Sequence, residues 1–169
     1  MEINNLPQGK QTRLGLYVTA KEAYEKWILN PENVVIIDVR TPEEYLFVGH
    51  PIMAWKIPIA IQSYLWDYEK RKFPMTLLGD FVARVKEIVT MDRTIMLMCR
   101  SGGRSAIAVN ILAQAGFTNV YQIIDGFEGD LVEDPSSVFN GQRLKNGWKN
   151  SGLPWTYQLT TDRLLLSKT

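Results

Sequence analysis

The stretch Val34-Val-Ile-Ile-Asp38 constrains this chain most: four β-branched residues in a row, closed by a carboxylate. Val and Ile are stiff at χ1 and favour extended backbone. A strand without polar alternation is buried on both faces, the pattern of a parallel sheet. Parallel neighbours cannot be joined by a tight turn and need a crossover, usually a helix. The flanks supply two helix starts. Thr19-Ala-Lys-Glu22 and Thr41-Pro-Glu-Glu44 each set a Thr three residues before a Glu, the capping-box spacing. The second also carries Pro at the first helical position. The first helix is expected to present Ala23, Tyr24, Trp27 and Ile28 on one face and to stop at Asn30-Pro31.

The alternation continues along the chain. Leu14 to Val18, Met53 to Ile57, Thr94 to Met98 and Val120 to Ile124 read as further strands. Asp80 is placed to cap a helix whose core face is Phe81, Val82, Val85, Ile88 and Val89. A small-residue helix from Arg104 to Ala115 ends at Gly116. Together these predict an α/β domain of three layers around a mainly parallel five-stranded sheet. Residues 1–13 are expected as a flexible lead-in, 14–157 as the domain and 158–169 as a peripheral tail. Residues 60–79 are ambiguous: Tyr64, Leu65, Trp66, Tyr68 and Phe73 stand among Asp67, Glu69, Lys70, Arg71 and Lys72. They suit either an amphipathic helix with a loop or an aromatic flap. Residues 130–157 are loop-like and are expected to wrap the domain.

Composition narrows the function classes. With 19 basic and 18 acidic residues the net charge is +1, which offers no support for nucleic acid or an anionic membrane as a bulk partner. No apolar run approaches the roughly 18 residues of a membrane span. Residues 1–13 lack the apolar stretch of a signal peptide. A cytoplasmic setting is therefore expected, or a periplasmic one should a leader have been removed. One cysteine, Cys99, forms no internal disulfide, and one histidine, His50, leaves almost no material for a metal site. No metal and no cofactor are expected.

Chemistry concentrates at Cys99-Arg100-Ser101-Gly102-Gly103-Arg104-Ser105. A strand-like run leads in and a helix leads out, so the thiol sits where backbone N–H groups have no partner inside the helix. Such groups, with Arg100 and Arg104 beside them, favour an anion, and the thiolate is the reactive form of cysteine. Glycines at 102 and 103 let the backbone turn its amides inward as a nest. A buried hydrophobic cysteine would need neither the glycines nor the arginines. Asp38-Val-Arg40 and Asp125-Gly126 also follow strands, at the same carboxyl edge where open sheets bind ligands. Asp38 and Arg40 are read as a structural pair supporting the loop, and His50 as a turn residue donating to backbone. Four residues separate Cys99 from Arg104. A phosphatase of the Cys-x5-Arg type would need an arginine where Ser105 stands, and the shorter loop suits one sulfur rather than a tetrahedral phosphate.

These residues resemble the rhodanese, or thiosulfate sulfurtransferase, family. The likeness rests on Asp38-Val-Arg40 with Glu44-Tyr45, on Gly49-His50 through Ile57-Pro58, on the Cys99 to Ser105 loop, and on Gly116-Phe117…Val120…Asp125-Gly126. The segments 60–79 and 130–150 exceed a minimal single domain of that family. The resemblance implies that Cys99 attacks the outer sulfur of a donor such as thiosulfate. The resulting persulfide, held by loop amides from 100 to 104, would pass its sulfur to a thiol or cyanide. Arg100 and Arg104 would attract the dianionic donor, and Ser101 and Ser105 would bond to the sulfur. The acceptor could be a protein. Two other readings stay open: a sulfur carrier loaded by a protein partner, and a non-catalytic interaction module.

Overall fold

The computed structural model describes residues 5–168. In chain order the elements are β1 (Tyr17–Val18), α1 (Ala20–Leu29), β2 (Val34–Asp38), α2 (Pro42–Phe47), β3 (His50–Pro51), β4 (Trp55–Lys56), β5 (Ala60–Gln62), β6 (Met75–Leu77), α3 (Phe81–Ile88), β7 (Thr94–Met98), α4 (Gly103–Gln114), β8 (Val120–Ile123) and β9 (Trp155–Thr156). The central sheet runs β1-β8-β7-β2-β4, and every pairing in it is parallel. The α/β architecture and the five strands are as expected, with no antiparallel member in this sheet.

Strand β2 is buried at all five residues and lies against β7 with Val34 opposite Thr94 and Asp38 opposite Met98. Successive residues point to opposite faces, and two cores result. Val35, Ile37, Ile95 and Leu97 meet Phe81 and Val85 of α3 and Val109 and Leu112 of α4. Val34, Ile36, Met96 and Met98 meet Ala20 and Ala23 of α1, with Phe127 and the fully buried Trp148. Residues 130–157 therefore do wrap the domain: Trp148 helps close the second core, its indole N–H donates to Pro154 O at 3.0 Å, and β9 pairs with β3.

Both capping boxes are formed, at Thr19–Glu22 and Thr41–Glu44. Asp80 does occupy the N-cap of α3, but its carboxylate caps nothing there; it accepts from Arg84 at 3.0 Å and from Ser167 at 2.8 Å. Ile28 leaves the face expected of it and is exposed.

Two segments differ from the sequence reading, and in a third the structure decides between the two alternatives that reading left open. The lead-in is partly packed: Met1–Asn4 lie outside the described residues, whereas Leu6 is buried and Lys10 donates to Ile124 O at 2.9 Å and to Asp130 at 2.7 Å. A lysine pinned by a carboxylate and a carbonyl orders chain that looks polar in sequence. The tail is part of the sheet edge: Lys56 N–H donates to Arg163 O at 2.7 Å and Leu165 N–H to Lys56 O at 2.9 Å, which covers the free side of β4. Residues 60–79 form an antiparallel hairpin of β5 and β6, with Asp67 and Lys72 paired at its tip and Trp66 edge-on to Phe73 at 5.0 Å. That is the flap and not the helix. Among the described residues no helix is long and apolar enough to cross a membrane.

Candidate active site

Strand β7 ends at Met98 and α4 begins at Gly103, so residues 99–102 are the whole connection. Gly102 takes φ +114°, and a Cβ there would lie 2.7 Å from Ile124 O and 3.0 Å from Lys10 Cδ. Only glycine has both the conformation and the room. The turn aims its N–H at the Cys99 Sγ, 3.1 Å away. The Ser105 hydroxyl lies 3.5 Å from the same sulfur and also donates to Gly102 O at 3.2 Å. Cys99 is a free thiol, 1% exposed. Among the described residues, one amide and one hydroxyl hold the sulfur, fewer donors than the expected cradle of residues 100–104. Ser101 stands on the cleft wall without bonding to it.

A second layer fixes the loop from below. Gln122 donates its amide to Gly102 O at 2.7 Å. The amides of Phe127, Glu128 and Gly129 reach up to Cys99 O at 2.8 Å and to Arg100 O at 3.0 and 3.2 Å. Gly126 makes that approach feasible: at φ +63°, a Cβ would fall 2.6 Å from the Arg100 carbonyl. The Asp125-Gly126 turn thus supports the loop's backbone rather than any ligand.

The two arginines of the loop behave differently. Arg100 is exposed, with no side-chain partner among the described residues. Arg104, expected to attract a donor, is instead engaged by Glu44: Nη1 donates to Oε2 at 2.6 Å and Nη2 to Oε1 at 2.7 Å. Two parallel charge-assisted bonds of this kind are the strong form of the contact. Burial disfavours both charges, yet the bonds outweigh it. The Glu44 carboxyl, raised by burial, is brought down to about 2 by Arg104, and Arg104 is raised in turn. Its charge is neutralised within the protein and is not free for a dianion.

Asp38 and Arg40 are fully buried. Arg40 donates through Nη2 to Asp38 at 2.6 Å and to Gly49 O at 2.7 Å. Tyr45 donates to Asp38 O and Arg40 O, at 2.7 and 2.8 Å. The pair braces the turn after β2 and reaches the Cys99 loop indirectly. Its guanidinium lies 4.3 Å over the Phe127 ring, and Phe127 N–H holds Cys99 O. His50 has its ring nitrogens 3.2 Å from Pro51 O and Gln158 O, makes no bond to the thiol, and has its pKa lowered by burial.

Above Cys99 opens a cleft of about 790 Å³. One wall is α2, through Thr41, Glu43 and Glu44; the facing wall is the hairpin, through Gln62, Lys72, Phe73 and Met75. Tyr64 ties the two walls together, its hydroxyl donating to Glu43 at 2.6 Å. Of the aromatic insert, Phe73 lines the cleft, whereas Tyr64 and Tyr68 are directed to solvent. A thiol at the base of such a cleft, with a donor N–H at its back, can capture an electrophilic sulfur.

Sequence reasoning missed Glu44 as the partner of Arg104, because the capping box already accounted for it. It also missed Gln122 and the wall residues Phe73 and Met75. A glutamine inside the β-branched and aromatic run of β8 was the available signal for the first of these.

The rhodanese-like domain matches residues 19–131. A protein of Rickettsia prowazekii, RP600, is 34% identical over 140 residues, covering 83% of this chain and 96% of its own. The crystal structure of Rv0390 from M. tuberculosis is 31% identical, with a TM-score of 0.65 over 83% of this chain and 96% of its own. The polysulfide-sulfur transferase homodimer of Wolinella succinogenes shares the fold, with 19% identity, a TM-score of 0.52, and coverage of 83% of this chain and 77% of its own. On the length and order of the match, the chain belongs to the rhodanese-like domain family.

Proposed function

We propose that this protein is a sulfurtransferase that carries sulfane sulfur as a persulfide on Cys99. Family membership supports a sulfur-related role, and one observation carries the finer reading. The Cys99 thiol lies at the base of an open cleft, 3.1 Å from the Gly102 amide and 3.5 Å from the Ser105 hydroxyl. In the first half-reaction the thiolate attacks the outer sulfur of a donor. A new S–S bond forms at Cys99, the donor's own bond to that sulfur breaks, and the donor leaves with the electron pair. For thiosulfate the leaving group is sulfite. In the second half-reaction a thiol or cyanide attacks the outer sulfur and Cys99 departs as thiolate, which the Gly102 N–H stabilises. This is covalent catalysis in two displacements.

Arg100 is the loop cation left to meet an anionic donor, since Glu44 neutralises Arg104. Only one of the loop's two arginines is free for a dianion, which favours a second reading of the loading step, in which a protein partner supplies the sulfur and thiosulfate is a poor donor. Intact-mass measurement after treatment with thiosulfate, with polysulfide, or with a desulfurase-type donor tests both. Wild type should gain one sulfur atom that cyanide removes, and Cys99→Ser should gain none. No gain from any of these donors would overturn the persulfide reading.

A further inference from the structure

We infer that the acceptor of this sulfur is a cysteine on an acidic polypeptide segment, docked along a groove whose far wall is the β5–β6 hairpin; the inference rests on the persulfide reading above. The groove is longer than a one-sulfur site needs. Next to the main cleft lies a second cavity of about 260 Å³, and the two share Val48 and Glu128 as a common sill. Together they run from the hairpin, across Cys99, to the arm that carries Arg143 and Lys149.

Charge along this path is one-sided. With the Glu44–Arg104 pair set aside as mutually neutralised, Lys72, Arg100, Arg143 and Lys149 line it against Glu43 and Glu128. An acidic strand complements that excess, whereas a basic one is repelled. Arg143 and Lys149 are half-buried and Lys72 and Arg100 are exposed, so the field reaches solvent.

The hairpin supplies the apolar half of the surface. Leu65 and Tyr68 are 81% and 86% exposed, and Tyr64 and Leu77 are also exposed, on the same hairpin whose Phe73 and Met75 form the cleft wall. Large apolar side chains left exposed on one element mark it as a candidate interaction surface. Cys99 itself is 1% exposed at the base, so the attacking thiol must be carried in on a narrow side chain. In the transfer the partner's cysteine loses its proton to solvent and its thiolate attacks the outer sulfur of the Cys99 persulfide. The partner's S–S bond forms, the Cys99 S–S bond breaks, and Cys99 leaves as thiolate; no oxidant or reductant is consumed.

The test uses full-length protein loaded with sulfur and three acceptors at equal thiol concentration: an acidic ten-residue peptide with one cysteine between apolar residues, its lysine counterpart, and free cysteine. Cyanide discharge is the reference reaction. The acidic peptide should discharge the persulfide about ten-fold faster than either other thiol. The double variant Leu65→Ser, Tyr68→Ser, and separately Arg143→Glu, should each lower the ratio of peptide to cyanide rate several-fold. Equal rates for all three thiols, or ratios unmoved by the variants, would overturn the inference. A second arm needs no sulfur chemistry: a labelled acidic peptide with serine for cysteine should bind unloaded protein, and the hairpin double variant should weaken that binding. Failure to load sulfur at all sinks the persulfide reading and the transfer that rests on it, whereas loading without binding in this arm sinks the docking inference and leaves the persulfide reading standing.

Discussion

Two arginine–carboxylate pairs sit within one sheet edge, and they do opposite work. Asp38–Arg40 is two residues apart in sequence with both side chains fully buried; Glu44–Arg104 spans sixty residues with its side chains 17% and 16% exposed. The first is enclosed by Tyr45, Gly49 and Phe127 and touches no cleft. The second stands on the cleft wall, joins the helix after Cys99 to α2, and sets the charge a ligand meets. The same chemistry serves the fold where water is excluded and the site where it is not. Burial, rather than residue type, decides which.

Removing one member of each pair is the strongest way to break this distinction. Arg40→Leu leaves Asp38 as a buried, uncompensated charge, and such a loss costs about 3–5 kcal/mol. Arg104→Leu leaves Glu44 beside an open cleft that water can enter, so about 1.5–3 kcal/mol is expected, the range for hydrogen bonds to a charged group. Urea unfolding of both variants checks the order. Equal losses would mean that the two pairs are not distinguished by burial. Glu44→Gln is a milder change, because glutamine can still close the capping box. The Glu44 carboxyl is depressed from 4.5 to about 2 in the folded protein, so its contribution is complete above pH 4.5 and is lost as pH falls toward 2. Unfolding followed across that window should show a shallower acid limb in Glu44→Gln than in wild type. The same variant frees the charge of Arg104, and the KM for thiosulfate should fall several-fold.

The pairs also show what a sequence discloses. Asp38 and Arg40 are legible because they follow a β-branched strand and lie within one turn of each other. The two capping boxes are local signals of that kind and both are formed, whereas Asp80 stands at the N-cap of α3 without capping it. Glu44 and Arg104 are each legible for another reason, a cap and a loop end, but nothing local says that they meet. Long-range pairing explains the other differences too. Lys10 looks like lead-in until Asp130 and Ile124 are brought beside it, and residues 163–165 look like tail until β4 presents a free edge. The hairpin is ambiguous in sequence because three of its tip residues are basic and its strands are only three residues long, too short for a clear period of two. Its role as a wall is a property of where the fold carries it.

The smallest expected effect lies at a bond that joins the hairpin to the cleft's other wall. Tyr64 is exposed, and its hydroxyl donates to Glu43 at 2.6 Å. That bond is the largest cause of a lowered Glu43 carboxyl pKa, which burial opposes. Tyr64→Phe keeps the ring and removes the donor, so the Glu43 carboxyl should titrate at higher pH, with thermal stability unchanged. Carbon-detected NMR titration of the glutamates reads the shift at one residue. The Glu44 resonance serves as the internal control, because its partner is Arg104 and it should stay near 2 in the variant as in wild type. Movement of both would tie the hairpin to the ion pair and make the cleft a single electrostatic unit; movement of Glu43 alone keeps Glu44–Arg104 as a pair set by its own two side chains.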